Sequence, residues 1–227
     1  MQMRRGQIFP RFMIYFVGLL IMTLGFVMLL KADLGATPWD VLNVGLYYQL
    51  GLTIGSWSII VGFFILGMAA IIDKKMPQIG AFLNMILVGV FIDMYLFLPF
   101  LQTPSHLIGK LVMFLLGLII SCYGMGIYIS ANLGAGPRDS LMLVLTNKTG
   151  WKVRNIRGAM EIIALSIGWM LGGPVFWGTF LISLLIGPIF GYAMPQCRSL
   201  TNIILDRLKP DSHIENENSK IKRGVSS

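Results

Sequence analysis

A segment that occurs twice constrains this chain more than any other feature. Ala32-Asp33-Leu34-Gly35-Ala36-Thr37-Pro38-Trp39-Asp40 has a second copy, Ala131-Asn132-Leu133-Gly134-Ala135-Gly136-Pro137-Arg138-Asp139, at an offset of 99 residues. The register extends upstream through Gly18/Gly117, Leu19/Leu118, Ile21/Ile120 and Gly25/Gly124, and downstream through Leu42/Leu141, Leu46/Leu145 and Gly51/Gly150. Self-similarity at a fixed period is the mark of a duplicated architecture, so whatever one half folds into the other must fold into as well.

The sequence around the two copies is apolar. Only 12% of the 227 residues are charged, where a soluble domain carries about 25%, and the mean hydropathy is +0.75. Such a chain is an integral membrane protein. Its polar remainder, from about Ser199 onward, is too short for a soluble catalytic domain. The net charge of +8 is read as loop orientation rather than as a nucleic-acid surface, so the expected partners are membrane lipid and a small-molecule substrate, with no nucleic acid; homo-oligomers stay open. Cys122 and Cys197 have no metal or redox spacing and count as small hydrophobes.

Six apolar stretches are long enough to cross a hydrocarbon core of about 30 Å, or nearly so. They run from Phe12 to Lys31, Ser56 to Ile72, Ile79 to Leu98, Leu107 to Ser130, Gly158 to Leu171 and Phe176 to Met194. Each motif opens a shorter helix, Pro38 to about Leu50 and Pro137 to about Thr149. Pro suits the first helical position, Thr37 suits the N-cap, and Asp40 lies where its charge favours a helix N-terminus. Residues 150–157 read as a basic loop. Leu200, Ile203, Ile204 and Leu208 suggest a short interfacial helix, and the polar sequence from Pro210 suggests disorder. The organisation expected is a membrane domain over 1–195, with repeats at 11–99 and 107–195, and a cytoplasmic tail over 196–227.

Two threadings compete. If the motif helices dip into the membrane and return, the chain has six spans, both termini are cytoplasmic, and only Lys31 and Lys110 among the Lys and Arg residues lie outside. If the motif helices cross, there are eight spans, and Lys31, Lys74, Lys75 and Arg138 lie outside. Positive charge on the cytoplasmic side favours six. Three spans per half invert the second repeat, so the fold class expected is an all-α polytopic membrane protein of two inverted three-helix repeats, each with a short Gly-Pro-Asp half helix. Non-helical backbone around the turns Gly35, Pro38, Gly134 and Pro137 must then be buried in protein or line a wet cavity.

Ionisable residues within spans cost about 2.5–3.5 kcal/mol at the bilayer centre, so each needs an account. Asp40 and Asp139 form either a paired substrate or coupling-ion site or two local helix caps. Asp93 could serve the site or simply reach water near a span end. Arg138 would either pair with Asp139 or bind an anion. Asn43 and Asn84 could hydrogen-bond across helices or contribute to the site. Glu161 is placed to pair with Arg157 one turn earlier. No catalytic set, phosphate loop, metal spacing or cofactor motif is found.

The duplicated Leu-Gly-x-x-Pro-x-Asp segment, with its Leu-rich helix and closing Gly51 or Gly150, resembles the YczE-like bacterial membrane proteins, related to the YitT/YyaS group, over about residues 11–195. The resemblance implies a multi-pass protein of the bacterial cytoplasmic membrane. No soluble C-terminal domain of the kind carried by many YitT-type proteins is expected, so a regulatory role resting on that domain does not carry over. The functions expected are a small-molecule transporter or exporter or, alternatively, a non-transporting accessory or scaffold protein for a membrane-associated partner, and not an enzyme.

Overall fold

The computed structural model describes residues 8–77, 79–99, 101–134 and 136–208, and all regular structure in them is helical: α1 (Ile8–Ala32), α2 (Pro38–Leu50), α3 (Ile54–Asp73), α4 (Ile79–Phe97), α5 (Leu107–Ser130), α6 (Pro137–Thr149), α7 (Val153–Met170) and α8 (Trp177–Arg207). The sequence register reappears in the elements. α5, α6 and α7 begin 99 residues after α1, α2 and α3, and α8 begins within one residue of that spacing after α4.

The two copies meet along α1 and α5, which run antiparallel. A Cβ on Gly18 would run into the backbone of Tyr128, and one on Gly124 into the backbone of Met22. At the register-related positions, Gly117 lies against Leu29 and Gly25 against Ser121. Each contact therefore has a partner in which the two copies exchange roles, as a two-fold axis between the helices requires. Absent side chains at these glycines let the backbones approach.

The turns before α2 and α6 obey the same exchange. Gly35 lies against Thr179 at the start of α8, and Gly134 against Gly80 at the start of α4. In both copies the turn passes through positive φ twice, at Asp33 (56°) and Gly35 (128°), then at Asn132 (56°) and Gly134 (139°). Asp and Asn tolerate the left-handed region, and Gly occupies it freely, which is why these residue types stand there.

The largest apolar core surrounds α1 and α5, with Tyr15, Leu19, Phe114 and Leu118 fully buried. The outside is also apolar, with Phe63, Phe64, Leu115, Leu116, Phe180 and Leu184 among its exposed side chains. That combination suits a lipid environment and would be an aggregation hazard in water.

Several expected boundaries shift. Five helices, α1, α3, α4, α5 and α8, are long and apolar enough to cross a membrane; the expected fifth span, now α7, is not among them. It starts at Val153 rather than Gly158, so most of the stretch read as a basic loop is its first turns. The sixth span does not end at Met194, and the separate interfacial helix is instead the far end of α8, which continues through Pro188 and Pro195. Contacts with α5 hold that extension in place: Ser130 Oγ lies 2.5 Å from Thr201 Oγ1, Tyr123 Oη donates to Gln196 at 3.0 Å, and Cys197 Sγ donates to the Tyr123 carbonyl at 3.5 Å. The disorder expected from Pro210 onward lies outside the described residues.

Candidate functional site

A cavity of about 130 Å³ sits where the two copies meet. Nine register-related pairs line it: Phe26/Met125, Thr37/Gly136, Pro38/Pro137, Trp39/Arg138, Asp40/Asp139, Ser58/Arg157, Val61/Met160, Gly62/Glu161 and Asn84/Ser183. A space lined by equivalent residues of both copies lies on the axis relating them. The N-termini of α2 and α6 converge there, and the Arg138 guanidinium stacks over the Trp39 ring, 4.7 Å from its centroid. Equivalent positions in two copies 99 residues apart in sequence are thereby in contact.

The two motif acids are held differently. Thr37 caps α2 by accepting from the Asp40 N–H at 3.3 Å, and its own hydroxyl donates to Asp40 Oδ2 at 2.5 Å. Asp40 is 2% exposed. In the second copy Gly136 replaces Thr37, and α6 has no side-chain cap. Its neighbour there is Asn84, whose Oδ1 lies about 3.0 Å from where a Gly136 Cβ would stand. Asp139, only half-buried, receives a long bond of 3.4 Å from the Tyr128 hydroxyl. The capping reading thus describes Asp40 well and Asp139 poorly.

Arg138 lies within electrostatic reach of Asp40, Asp139 and Glu161, but among the described residues it forms no hydrogen bond or ion pair, so the pairing with Asp139 weighed from sequence is not made. Arg157 donates to Glu161 at 3.0 Å, the one-turn pairing expected for Glu161. Asn84 is 6% exposed, and its Nδ2 has no hydrogen-bond partner. That amide lies beside the Tyr15 hydroxyl, with which it interacts and which donates to the Gly80 carbonyl at 2.9 Å.

The remaining candidates lie elsewhere. Asp93 accepts from Thr53 Oγ1 at 2.6 Å and from the Gly55 N–H at 2.8 Å, which clasps α4 to the start of α3. Asn43 is buried on α2 outside the cavity lining, with neither amide atom hydrogen-bonded. Trp39, Tyr128, Arg157 and Glu161 line the cavity without having been candidates for the site. A signal for the last two existed: at the offset they replace Ser58 and Gly62 on one face of a helix. Among the described residues no group of His, Cys, Asp or Glu is placed to hold a metal ion.

The chain resembles three bacterial proteins, each described as uncharacterized. It is 44% identical over 199 residues to the uncharacterized membrane protein YczE of Bacillus subtilis strain 168, covering 87% of this chain and 91% of the relative. It is 30% identical over 186 residues to the uncharacterized protein YyaS of the same organism, covering 82% and 92%. An uncharacterized protein of Haemophilus influenzae is 29% identical over 187 residues, covering 81% and 83%. No solved structure matches. Residues 9–195 match the family of unknown function DUF6198, and with these relatives the chain belongs to that YczE-like family of membrane proteins.

Proposed function

We propose that the protein is a small-molecule transporter or exporter of the bacterial cytoplasmic membrane, with its substrate site in the shared cavity. The observation that carries this reading is the convergence of both motifs, from opposite ends of the antiparallel α1/α5 pair, on one space lined by acids and arginines. Transporters built from inverted repeats place their sites at the repeat interface, where half-helix N-termini meet.

The six-span threading accompanies this proposal: α1, α3, α4, α5, α7 and α8 cross, α2 and α6 enter and return, and both termini are cytoplasmic. The antiparallel run of α1 and α5 favours inverted copies. At 13 residues each, α2 and α6 reach about 20 Å, short of the hydrocarbon core. The 18 residues of α7 reach about 27 Å. Arg157 and Glu161 lower its hydropathy, and both border the cavity and pair with one another.

Proteoliposomes loaded with a mixture of labelled small metabolites test the reading. Saturable, protein-dependent exchange is expected, lost with Asp139→Asn and retained when residues 208–227 are removed. A protein that exchanges nothing, but retains a membrane-associated partner only while those residues are present, is an accessory protein instead.

A further inference from the structure

The donors and acceptors of the cavity do not cancel, and what is left over describes a ligand. Asp40 is satisfied by the Thr37 hydroxyl, and Glu161 is paired with Arg157. Two donors remain uncommitted at one place: the Arg138 guanidinium and the first N–H groups of α6, which lacks a side-chain cap. Asn84 adds no donor there, because its Oδ1 is the amide atom nearest Gly136 and its buried Nδ2 lies on the side of Tyr15. Together these groups describe a seat for an anionic oxygen group. A half-helix N-terminus is used in this way elsewhere to hold a substrate carboxylate.

A simple anion is nevertheless a poor fit. Asp139 stands on the same turn of α6, with one long hydrogen bond of 3.4 Å from Tyr128 and with Arg157 and Arg138 as nearby cations, and a carboxylate placed at Arg138 would face it. A ligand carrying its own cation removes that repulsion. Size limits the choice further, since about 130 Å³ is close to the volume of a cavity that takes one benzene-sized molecule, roughly 150 Å³.

We infer that the cavity binds a small aliphatic zwitterion, its carboxylate on Arg138 and the α6 N-terminus, and its ammonium on Asp139. The inference rests on the cavity being a substrate site, but it can be tested without transport.

Alanine, propionate and ethylamine separate the two halves of such a ligand: the second lacks the ammonium, the third the carboxylate. Binding is measured on the full chain in detergent by tryptophan fluorescence, with Trp39→Phe identifying the signal from the cavity. A saturable response to alanine is expected, with propionate and ethylamine each at least tenfold weaker. Arg138→Gln and Asp139→Asn should each weaken alanine binding at least tenfold, and thermal unfolding verifies that both variants are folded. Equal responses to propionate or ethylamine, unchanged affinity in both folded variants, or no response to alanine, glycine or serine overturns the inference. Alanine binding without alanine flux would uphold it while removing the transport reading.

Discussion

Asp40 and Asp139 occupy the same position in two copies of one motif, yet the residue three places earlier sets them apart. With Thr37, the carboxylate is a structural part of its helix start; with Gly136, it is left facing a cavity. Thr37→Val should therefore lower stability by about 1–2 kcal/mol, the range for a lost N-cap, measurable as a reduced midpoint of thermal unfolding in detergent. Asp139→Asn should leave the midpoint within the scatter of the parent protein while abolishing exchange. If Asp139→Asn unfolds the protein and Thr37→Val does not, the assignment of roles is reversed. The sequence carried the equivalence of the two acids and the Thr37 cap. It did not carry the stacking of Arg138 on Trp39, because the register places these two residues in parallel and says nothing of the axis that brings them face to face.

The helices show where local pattern sufficed and where packing overrode it. The bounds of α2 and α6 were legible because Pro, Thr and Gly mark helix ends through backbone geometry. The start of α7 was not, since charges at Arg154 and Arg157 read as loop until the cavity accounts for Arg157. The end of α8 was not either: Pro195 removes one hydrogen bond, but the contacts of Gln196, Cys197 and Thr201 with α5 hold the helix on course. The copies also diverge at this scale. Thr53, Gly55 and Asp93 clasp α3 to α4, whereas Lys152, Arg154 and Tyr192 stand at the equivalent positions, so α7 and α8 lack the clasp. Asp93→Ala should cost about 2 kcal/mol, as expected for lost hydrogen bonds to a charged acceptor, without altering ligand binding. Glycines offer a sharper contrast. Gly124→Ala forces a methyl group into the α1 backbone and should cost about 1–3 kcal/mol. Gly191→Ala meets open space and should be neutral or stabilising by up to about 1 kcal/mol. Thermal unfolding of both variants side by side checks the difference, and equal effects would mean that α1 and α5 do not meet closely at Gly124.

At the scale of the whole molecule, duplication explains both the symmetry and its departures. The shared backbone plan sets the antiparallel α1/α5 seam and brings two half helices to one point. The second copy then supplies most of the charge at that point, through Arg138, Arg157 and Glu161, where the first has Trp39, Ser58 and Gly62. The inverted threading proposed above makes a direct demand on sidedness, because in it the far ends of α2 and α6 reach opposite faces of the membrane. Leu50 and Thr149 are register-related, and both are exposed at those ends. Single cysteines at these two positions, in a chain whose Cys122 and Cys197 are replaced by alanine, can be treated in intact cells with a membrane-impermeant maleimide. The account predicts that the cysteine at position 50 is modified from outside and the one at position 149 only after the cells are opened; modification of both from the same side would contradict it.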